Sequence, residues 1–204
     1  MEMDIGLILY NIFVSTYLFT SLYTLFDEIK EYGHIYVYNA IKKSYKYVFL
    51  NVVVLPYFIN FLFLNYKIYS DEFNLIIWVR DCFINWISVD FLFWTIHRIL
   101  HFPMFYSLIH KKHHEFKRPI GFTSLYANPV DFLVSNFPPI FLALIILKSH
   151  YTLYYFWTFI STFNTIYFSH SKNDRFHVIH HESFIYNYGI NIFMDKLCKT
   201  NKED

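Results

Sequence analysis

Two long stretches of this chain contain no charged side chain, and they constrain its fold more than any other feature. They run from Ile5 to Phe26 and from Tyr47 to Tyr66. Each is long enough for a helix to cross the hydrocarbon core of a bilayer, which takes about 20 residues. Charged residues make up only 16% of the 204 residues, against about 25% in a typical soluble domain. We therefore predict an all-α, polytopic membrane protein and exclude a disordered chain, a basic nucleic-acid binder and a typical cytosolic enzyme.

Three further apolar segments bring the expected number of hydrophobic helices to four or five. One spans about Cys82–Ile96, or begins earlier, near Phe73. The other two, Phe132–Leu147 and Tyr151–Ser169, are separated by a short polar turn. Because so short a turn joins antiparallel neighbours, this pair predicts a hairpin that enters and leaves the bilayer.

Lysine and arginine are distributed unevenly among the predicted loops. If Met1 faces the lumen or the exterior, all but three of the 17 basic residues lie on the cytosolic side, the exceptions being Lys67, Arg80 and Lys148. Cytoplasmic loops of membrane proteins carry such an excess. The bias predicts this orientation, with the first helix acting as the signal. It also disfavours the alternative that the apolar runs are core helices of a soluble protein.

Most of the 11 histidines lie in three short clusters, and the predicted topology puts all three on the cytosolic side. The clusters are His97 and His101; His110, His113 and His114; and His177, His180 and His181. On a helix, residues three or four positions apart share a face. Each cluster can therefore direct two or three imidazoles to one point, as metal ligation from helices requires. We predict a metal site in a cytosolic helical cap and assign His34 and His150 to loops or interfaces.

The number and setting of these histidines restrict the metal. They exceed the three or four ligands of a single zinc ion. Between His97 and His101 stand Arg98, Ile99 and Leu100, so the glutamate of a zinc peptidase helix is missing. Imidazole suits iron, copper, nickel and zinc alike. We interpret the set as a dinuclear site, with iron for oxygen activation beside a membrane as the most economical assignment.

These motifs resemble the integral-membrane fatty acid hydroxylase / sterol desaturase superfamily of non-haem di-iron oxygenases. The resemblance covers about residues 90–200, and within the superfamily it is greatest to sterol C-5 desaturase (lathosterol oxidase). It is carried by Asp90–His101 with an acid–aromatic–HRxxH pattern; by Pro103, Tyr106, His110–His114 and Pro119; by Phe122–Ser124 and Pro129–Asp131; and by His177–Gly189 with Asp195–Leu197.

The resemblance implies which residues form the site. The implied iron ligands are His97, His101, His110, His113, His114, His170, His177, His180 and His181. We expect the Asp90 carboxylate to hydrogen-bond one of these rings on the side away from the metal and so to fix its orientation. The alternative is that Asp90 caps a helix at the membrane interface. Asp195 is expected either to support a ligand in the same way or to be structural. We predict a single domain over residues 1–204, with membrane helices and loops in 1–81 and the catalytic histidine motifs in 82–204.

The implied activity is O2-dependent oxidation of an unactivated lipid C–H bond by two iron ions, giving a double bond or an alcohol. The expected substrate is a sterol, with a 4-methyl sterol, a sphingoid base or a fatty acyl chain as alternatives. Four scattered glycines leave no dinucleotide-binding loop, so the resemblance implies electrons from NAD(P)H through cytochrome b5 and its reductase. The implied location is the endoplasmic reticulum membrane. Rival hypotheses are a histidine-rich membrane metal transporter and a non-catalytic membrane scaffold.

Overall fold

A computed structural model describes residues 4–59, 66–170 and 176–202, and the regular structure within these ranges is helical. The all-α prediction is therefore confirmed. Two short 3-10 turns, His110–Glu115 and Gly121–Thr123, interrupt the helical framework. The α-helices are α1 (Ile5–Tyr32), α2 (His34–Phe49), α3 (Leu75–Leu100), α4 (Pro103–Leu108), α5 (Pro129–Leu147), α6 (Tyr151–Asn164), α7 (Phe176–Ser183) and α8 (Ile192–Leu197).

Two helices of the described chain, α1 and α5, are long and apolar enough to cross a membrane. The second uncharged run does not form a separate helix starting at Tyr47. Instead α2 begins at His34 and the chain stays helical, through a π-helical turn at Leu50–Val54, to residue 59; residues 60–65 lie outside the described ranges. A total of four or five membrane helices remains a prediction.

Helix α3 starts at the earlier of the two predicted positions. Asn74 caps it by accepting hydrogen bonds from the amides of Ile76 (3.0 Å) and Ile77 (3.1 Å). Such a cap satisfies backbone donors that the first helical turn leaves unpaired. The helix continues from there to Leu100, so one uninterrupted element carries the apolar segment and leads directly into the first histidine cluster.

The helical hairpin is confirmed as α5, a turn and α6. Lys148 adopts a left-handed conformation (φ 48°), and the next residue, Ser149, donates a hydrogen bond to the buried carboxylate of Asp81 (2.7 Å). The indole of Trp78 donates to the Thr152 hydroxyl (3.0 Å). These bonds join the hairpin turn to the beginning of α3.

The surface of α1 has the polarity expected of a helix in lipid. Phe19, Leu22 and Phe26 lie along one face with 71%, 68% and 84% of their area exposed, whereas Thr24 and Glu28 are buried. A row of exposed apolar side chains opposite buried polar ones is unfavourable in water but suits a hydrocarbon solvent. This pattern supports membrane insertion of α1.

The N-terminal helices hold the loop that follows the second histidine cluster. The buried carboxylate of Glu28 accepts a hydrogen bond from the Gly121 amide (2.6 Å), and the Tyr17 hydroxyl donates to the Phe122 carbonyl. The side-chain amide of Asn51 donates to carbonyls of the same loop. A Cβ atom at Gly121 would lie 2.5 Å from the Thr24 hydroxyl, so a larger residue could not approach α1 this closely. Residues before position 82 thus position the histidine region.

Candidate metal centre

The nine histidines predicted as ligands come together in the structure as two groups. We call them the first group (His97, His101, His110, His114 and His180) and the second group (His113, His170, His177 and His181). Within each group, one ring nitrogen of every member lies within 4.8 Å of one of every other member. The rings of His113 and His114 connect the groups, since their centroids are 5.3 Å apart.

The two groups do not correspond to the sequence clusters. The 110–114 segment was expected to be α-helical but forms a 3-10 turn, which is tighter than an α-helix. It directs His110 and His114 to the first group and His113 to the second. On α7, the adjacent residues His180 and His181 also point to different groups, because successive side chains on an α-helix are about 100° apart.

Four ring nitrogens of the first group converge on a small volume. The Nε2 atom of His114 lies 3.1 Å from that of His101 and 3.1 Å from that of His110. The Nε2 atoms of His180 and His101 are 3.0 Å apart. Nitrogen lone pairs facing one another at these distances repel unless a cation or a proton lies between them. The arrangement therefore suits a metal ion.

Hydrogen bonds on the far side of the rings determine which nitrogen carries the lone pair. Five Nδ1 atoms lie against oxygen atoms that can only accept, so Nδ1 carries the proton and Nε2 is left free for a metal. The pairs are His97–Tyr188 O (2.7 Å), His110–Asp131 Oδ2 (2.9 Å), His170–Thr165 O (2.8 Å), His180–Tyr186 O (2.6 Å) and His181–Phe116 O (3.1 Å).

Four Nε2 atoms of the two groups are buried without a partner among the described residues. They are the Nε2 atoms of His97, His170, His177 and His181. Buried polar atoms are nearly always hydrogen-bonded, so a group of unpaired ones calls for an additional ligand. One of the four, His97, belongs to the first group and the other three belong to the second, so a cation in each group would satisfy them and the donor set fits a metal.

Burial lowers the pKa of eight of the nine imidazoles and so favours the neutral form that metal ligation requires. Burial and repulsion from His110 and His170 lower the pKa of His180 to about 3, although the bond to Tyr186 opposes the shift. Burial lowers the pKa of His170 to about 4. Both values lie below the usual pKa of about 6.5. The site is thus ready to accept a cation at neutral pH.

The metal-free protein should lose stability as the pH falls below about 6.5. The unfolded chain binds protons near pH 6.5, whereas His180 in the folded chain does so only near pH 3. Between these values the unfolded state binds more protons, so the free energy of unfolding is highest above pH 6.5 and decreases as the pH falls. Thermal unfolding of the metal-free protein in detergent, at about pH 7.5, 6 and 5, tests this; an unchanged midpoint would contradict it.

Asp131 is a functional residue whose role the sequence did not reveal. Its carboxylate is only 1% exposed and contacts the ring of His110. Among the described residues, it is the carboxylate that pairs with a histidine of the two groups. It stands in the first turn of α5, where Asn128 caps the helix. The Pro129–Asp131 segment was noted only as part of a resemblance. Nothing in the spacing links position 131 to position 110, because the contact is tertiary.

Replacing Asp131 with asparagine should weaken metal binding by about 10- to 100-fold, the usual effect of losing an outer partner of a ligating histidine. An amide oxygen can still accept from His110, but it lacks the charge that makes the ring a better ligand. Iron binding measured against a competing chelator gives the change. Asp4→Asn, the same replacement at the exposed cap of α1, is the control and should bind iron like the unmodified chain. Equal affinities for the two variants would contradict the role of Asp131.

The expectation that Asp90 holds a ligand ring is wrong. Its two carboxylate oxygens accept hydrogen bonds from the amides of Asn191 (3.3 Å) and Met194 (3.2 Å). Nor does it cap its own helix, since it lies within α3. It instead satisfies a free amide in the first turn of α8. Through these hydrogen bonds Asp90 connects the C-terminal segment to α3. The contact with a ligand ring that was expected of Asp90 is made by Asp131.

Asp195 supports the ligands indirectly, through the backbone. Its buried carboxylate accepts hydrogen bonds from the amides of Tyr188 (3.0 Å) and Gly189 (2.7 Å) and from the hydroxyl of Thr200 (2.6 Å). These bonds hold the 186–189 loop, whose carbonyl oxygens face His180 and His97. A Cβ atom at Gly189 would lie 2.8 Å from the carboxylate, so glycine permits the close approach.

The two histidines left out of the predicted site lie at helix starts. His34 is exposed at the beginning of α2, and the His150 side chain caps α6 through the Thr152 amide. Neither belongs to the two groups.

Comparison with known proteins agrees with the histidine motifs. The family model for fatty acid hydroxylase matches residues 82–200. The chain is 37% identical over 119 residues to human fatty acid hydroxylase domain-containing protein 2, covering 55% of this chain and 35% of that protein. It is 39% identical over 120 residues to fatty acid hydroxylase ahd1 of Mycosarcoma maydis (55% and 31%) and 29% identical over 141 residues to chicken methylsterol monooxygenase 1 (61% and 47%).

The chain thus spans between about a third and a half of the length of these relatives. No solved structure matches it significantly. The family match nevertheless covers more than half of the chain and includes all nine clustered histidines. This chain belongs to the fatty acid hydroxylase family, within the superfamily of fatty acid hydroxylases and sterol desaturases.

Proposed function

We propose that this chain is a membrane-embedded, iron-dependent oxygenase that uses O2 to oxidise a lipid C–H bond. The observation that carries the proposal is the pair of adjoining histidine groups, whose buried ring nitrogens point inward without partners. One imidazole group would suit many metals, whereas two touching groups favour a dinuclear centre. Membership of the fatty acid hydroxylase family supports oxygenase chemistry at this centre.

The two groups would hold one iron ion each. Iron in such a centre, when reduced, supplies the activation of O2 that no side chain can supply. The contribution of the chain is to bury these imidazoles and to orient their rings. Carbonyl oxygens hold the protons on Nδ1, and Asp131 adds negative charge behind His110. Phe93 and Phe132 line the adjoining cavity together with ligands, and these apolar walls exclude water from the reacting carbon.

The proposed substrate is a sterol, with C-5 desaturation as the reaction first inferred from the motifs. The relatives give reason to test two alternatives with equal care. Some are named methylsterol monooxygenases and others fatty acid hydroxylases, so oxidation of a C-4 methyl group of a sterol or hydroxylation of a fatty acyl or sphingoid chain fits the same centre. All of these reactions remove hydrogen from an unactivated carbon.

The proposal includes a place and a source of electrons. The apolar runs favour four or five membrane helices, and the uneven distribution of lysine and arginine favours a cytosolic position for the histidine groups. The proposed location is the endoplasmic reticulum membrane. Electrons would come from NAD(P)H through cytochrome b5 and its reductase. In this scheme residues 82–204 form the catalytic region and residues 1–81 provide the membrane helices that hold it.

Metal analysis is the first test of the proposal. Protein purified without oxygen should contain about two iron ions per chain. One zinc ion and no iron would refute the oxygenase and favour the rival metal-binding hypotheses.

Sterol profiling then identifies the substrate. The chain would be expressed in one host lacking sterol C-5 desaturase and in another lacking methylsterol oxidase activity. Restoration of the C-5 double bond supports desaturation, and loss of accumulated 4-methyl sterols supports methyl oxidation. Unchanged sterols in both hosts, with iron bound, would leave a fatty acyl or sphingoid chain as the substrate.

A further inference from the structure

An apolar groove lies between α3 and α6, outside the histidine groups. Its volume is about 520 Å³, within the range of sites that bind small molecules. Aromatic and aliphatic side chains form most of its walls: Trp78, Phe83 and Trp86 on α3, and Phe156, Trp157 and Ile160 on α6.

The outer side of the groove is open. Phe83, Trp86 and Phe156 have 58%, 54% and 40% of their area exposed. On a chain whose first helix presents apolar side chains outward, such an opening faces lipid rather than water. The hydrocarbon of a membrane lipid is therefore the chemically matched occupant.

One face of α3 connects this groove to the metal centre. Trp86, Val89, Phe93 and His97 follow one another at spacings of three and four residues, so they lie on the same face of the helix. The first two line the groove, and Phe93 and His97 line the cavity beneath the histidines. At 1.5 Å per residue, Trp86 and His97 are about 16 Å apart along the axis.

Two residues, Thr165 and Ile190, line both the groove and the histidine cavity. They therefore stand where the two spaces meet. Ile190 is held firmly in this position. The amide before it, of Gly189, donates to Asp195 (2.7 Å), and the amide after it, of Asn191, donates to Asp90 (3.3 Å). The loop that orients the rings of His97 and His180 thus also fixes the Ile190 side chain at the junction.

We propose that the groove between α3 and α6 binds the hydrocarbon part of a membrane lipid, and that Ile190 determines which of its carbons reaches the histidine groups. This inference rests on the proposed function for the chemistry, whereas binding in the groove does not depend on it. A displacement of about 1 Å is enough to change the rate at a reacting atom by two orders of magnitude. A side chain fixed at the inner end of the groove can therefore select one carbon over its neighbour.

A second cavity adjoins the histidine cavity and provides the internal comparison. It lies among α1, α5 and α6, shares Phe132 and Asn136 with the histidine cavity, and has a volume of only about 80 Å³. Ile140 lines it and does not line the groove. The larger groove, whose wall helix carries His97, is the better candidate for lipid binding.

Binding is tested on metal-free full-length protein in phosphatidylcholine nanodiscs. The probes are cis-parinaric acid, a fluorescent fatty acid, and dehydroergosterol, a fluorescent sterol; energy transfer from Trp78 and Trp86 reports binding. Ile190→Phe should weaken binding of the matching probe by about tenfold, because the larger side chain takes up space at the inner end of the groove that the bound hydrocarbon would fill. Ile140→Phe, which adds the same volume in the smaller cavity, should leave binding unchanged.

Cys82 gives a second readout that needs no substitution. It lines the groove, whereas Cys198, the other cysteine, is exposed elsewhere. The bound probe should slow labelling of Cys82 by N-ethylmaleimide several-fold and leave Cys198 unaffected. If the probes bind without protecting Cys82, or if Ile140→Phe weakens binding and Ile190→Phe does not, the groove is not the lipid site and the proposal is overturned.

Turnover distinguishes this inference from the proposed function. Once a substrate is known, Ile190→Ala should shift oxidation to a carbon further along the lipid while the iron content stays unchanged. Oxidation at the original carbon alone would overturn the role of Ile190. A chain that binds lipid in the groove but holds no iron would refute the proposed function and leave the groove as a lipid site.

Discussion

Replacing His180 with alanine should abolish lipid oxidation and release most of the iron from the first histidine group. The Nε2 atom of His180 lies 3.0 Å from that of His101, and its Nδ1 is held by the Tyr186 carbonyl at 2.6 Å. Losing even an outer partner of a ligand costs about 10- to 100-fold in affinity or activity, so losing the ligand itself should cost more. Iron content and lipid product, measured on the same preparation, give the result.

The matched control is His34→Ala, which removes an imidazole that is exposed at the start of α2. Iron content and activity should be unchanged in this variant. If His180→Ala retained both iron and lipid oxidation, His180 would not be a ligand, and the assignment of the first group would have to be revised. Since this histidine is fully buried, the variant's thermal unfolding should be recorded to separate ligand loss from misfolding.

Replacing Asp195 with alanine should have the largest effect on stability, about 3–5 kcal/mol in the free energy of unfolding. Each buried donor left without an acceptor costs about 1–3 kcal/mol, so losing a carboxylate that accepts from several buried donors should have an effect of this size. The carboxylate accepts from two backbone amides, the Thr200 hydroxyl and the indole of Trp94. Without it the two amides stay buried and unpaired, whereas the Trp94 indole keeps the Thr200 hydroxyl as an acceptor (3.2 Å). The loop that orients His97 and His180 is then released.

Denaturant titration in micelles measures the loss, and Asp71→Ala is the matched control. Asp71 is exposed and pairs with Lys67 on the surface, where such pairs contribute about 0–1 kcal/mol. Asp195→Ala should also reduce bound iron, because the ring orientation depends on the loop. Equal unfolding free energies for the two variants would show that Asp195 does not hold this region.

Much of the helical framework could be predicted from local patterns. The start of α1, the α5–α6 hairpin and the start of α3 near Phe73 follow from uncharged runs and turn residues, whereas α1 continues beyond its run to Tyr32. The described part of the second uncharged run, up to residue 59, belongs to a helical segment that begins at His34, in a charged stretch that a search for uncharged runs does not detect. A charge count detects where lipid can contact a helix, whereas the helix itself continues as long as its backbone bonds are satisfied.

The roles of the acidic residues could not be predicted from the sequence in the same way. Asp90 stands close to His97 in sequence, which suggested a contact with a ligand ring, but its partners are the amides of Asn191 and Met194. Asp131 makes the expected contact with His110 instead. Sequence proximity on a helix does not determine which neighbouring segment a side chain meets.

The sequence by itself determined that the chain is helical, that it has the apolar runs of a membrane protein, and which eight clustered histidines gather. These properties depend on composition and on spacings of three and four residues. Only the tertiary structure decided how the histidines divide into two groups, which oxygen atoms hold their rings, and that Ile190 stands between the groove and the histidine cavity. Such contacts join segments as far apart as His101 and His180 or Trp94 and Asp195, and they arise only when the packed helices bring those segments together.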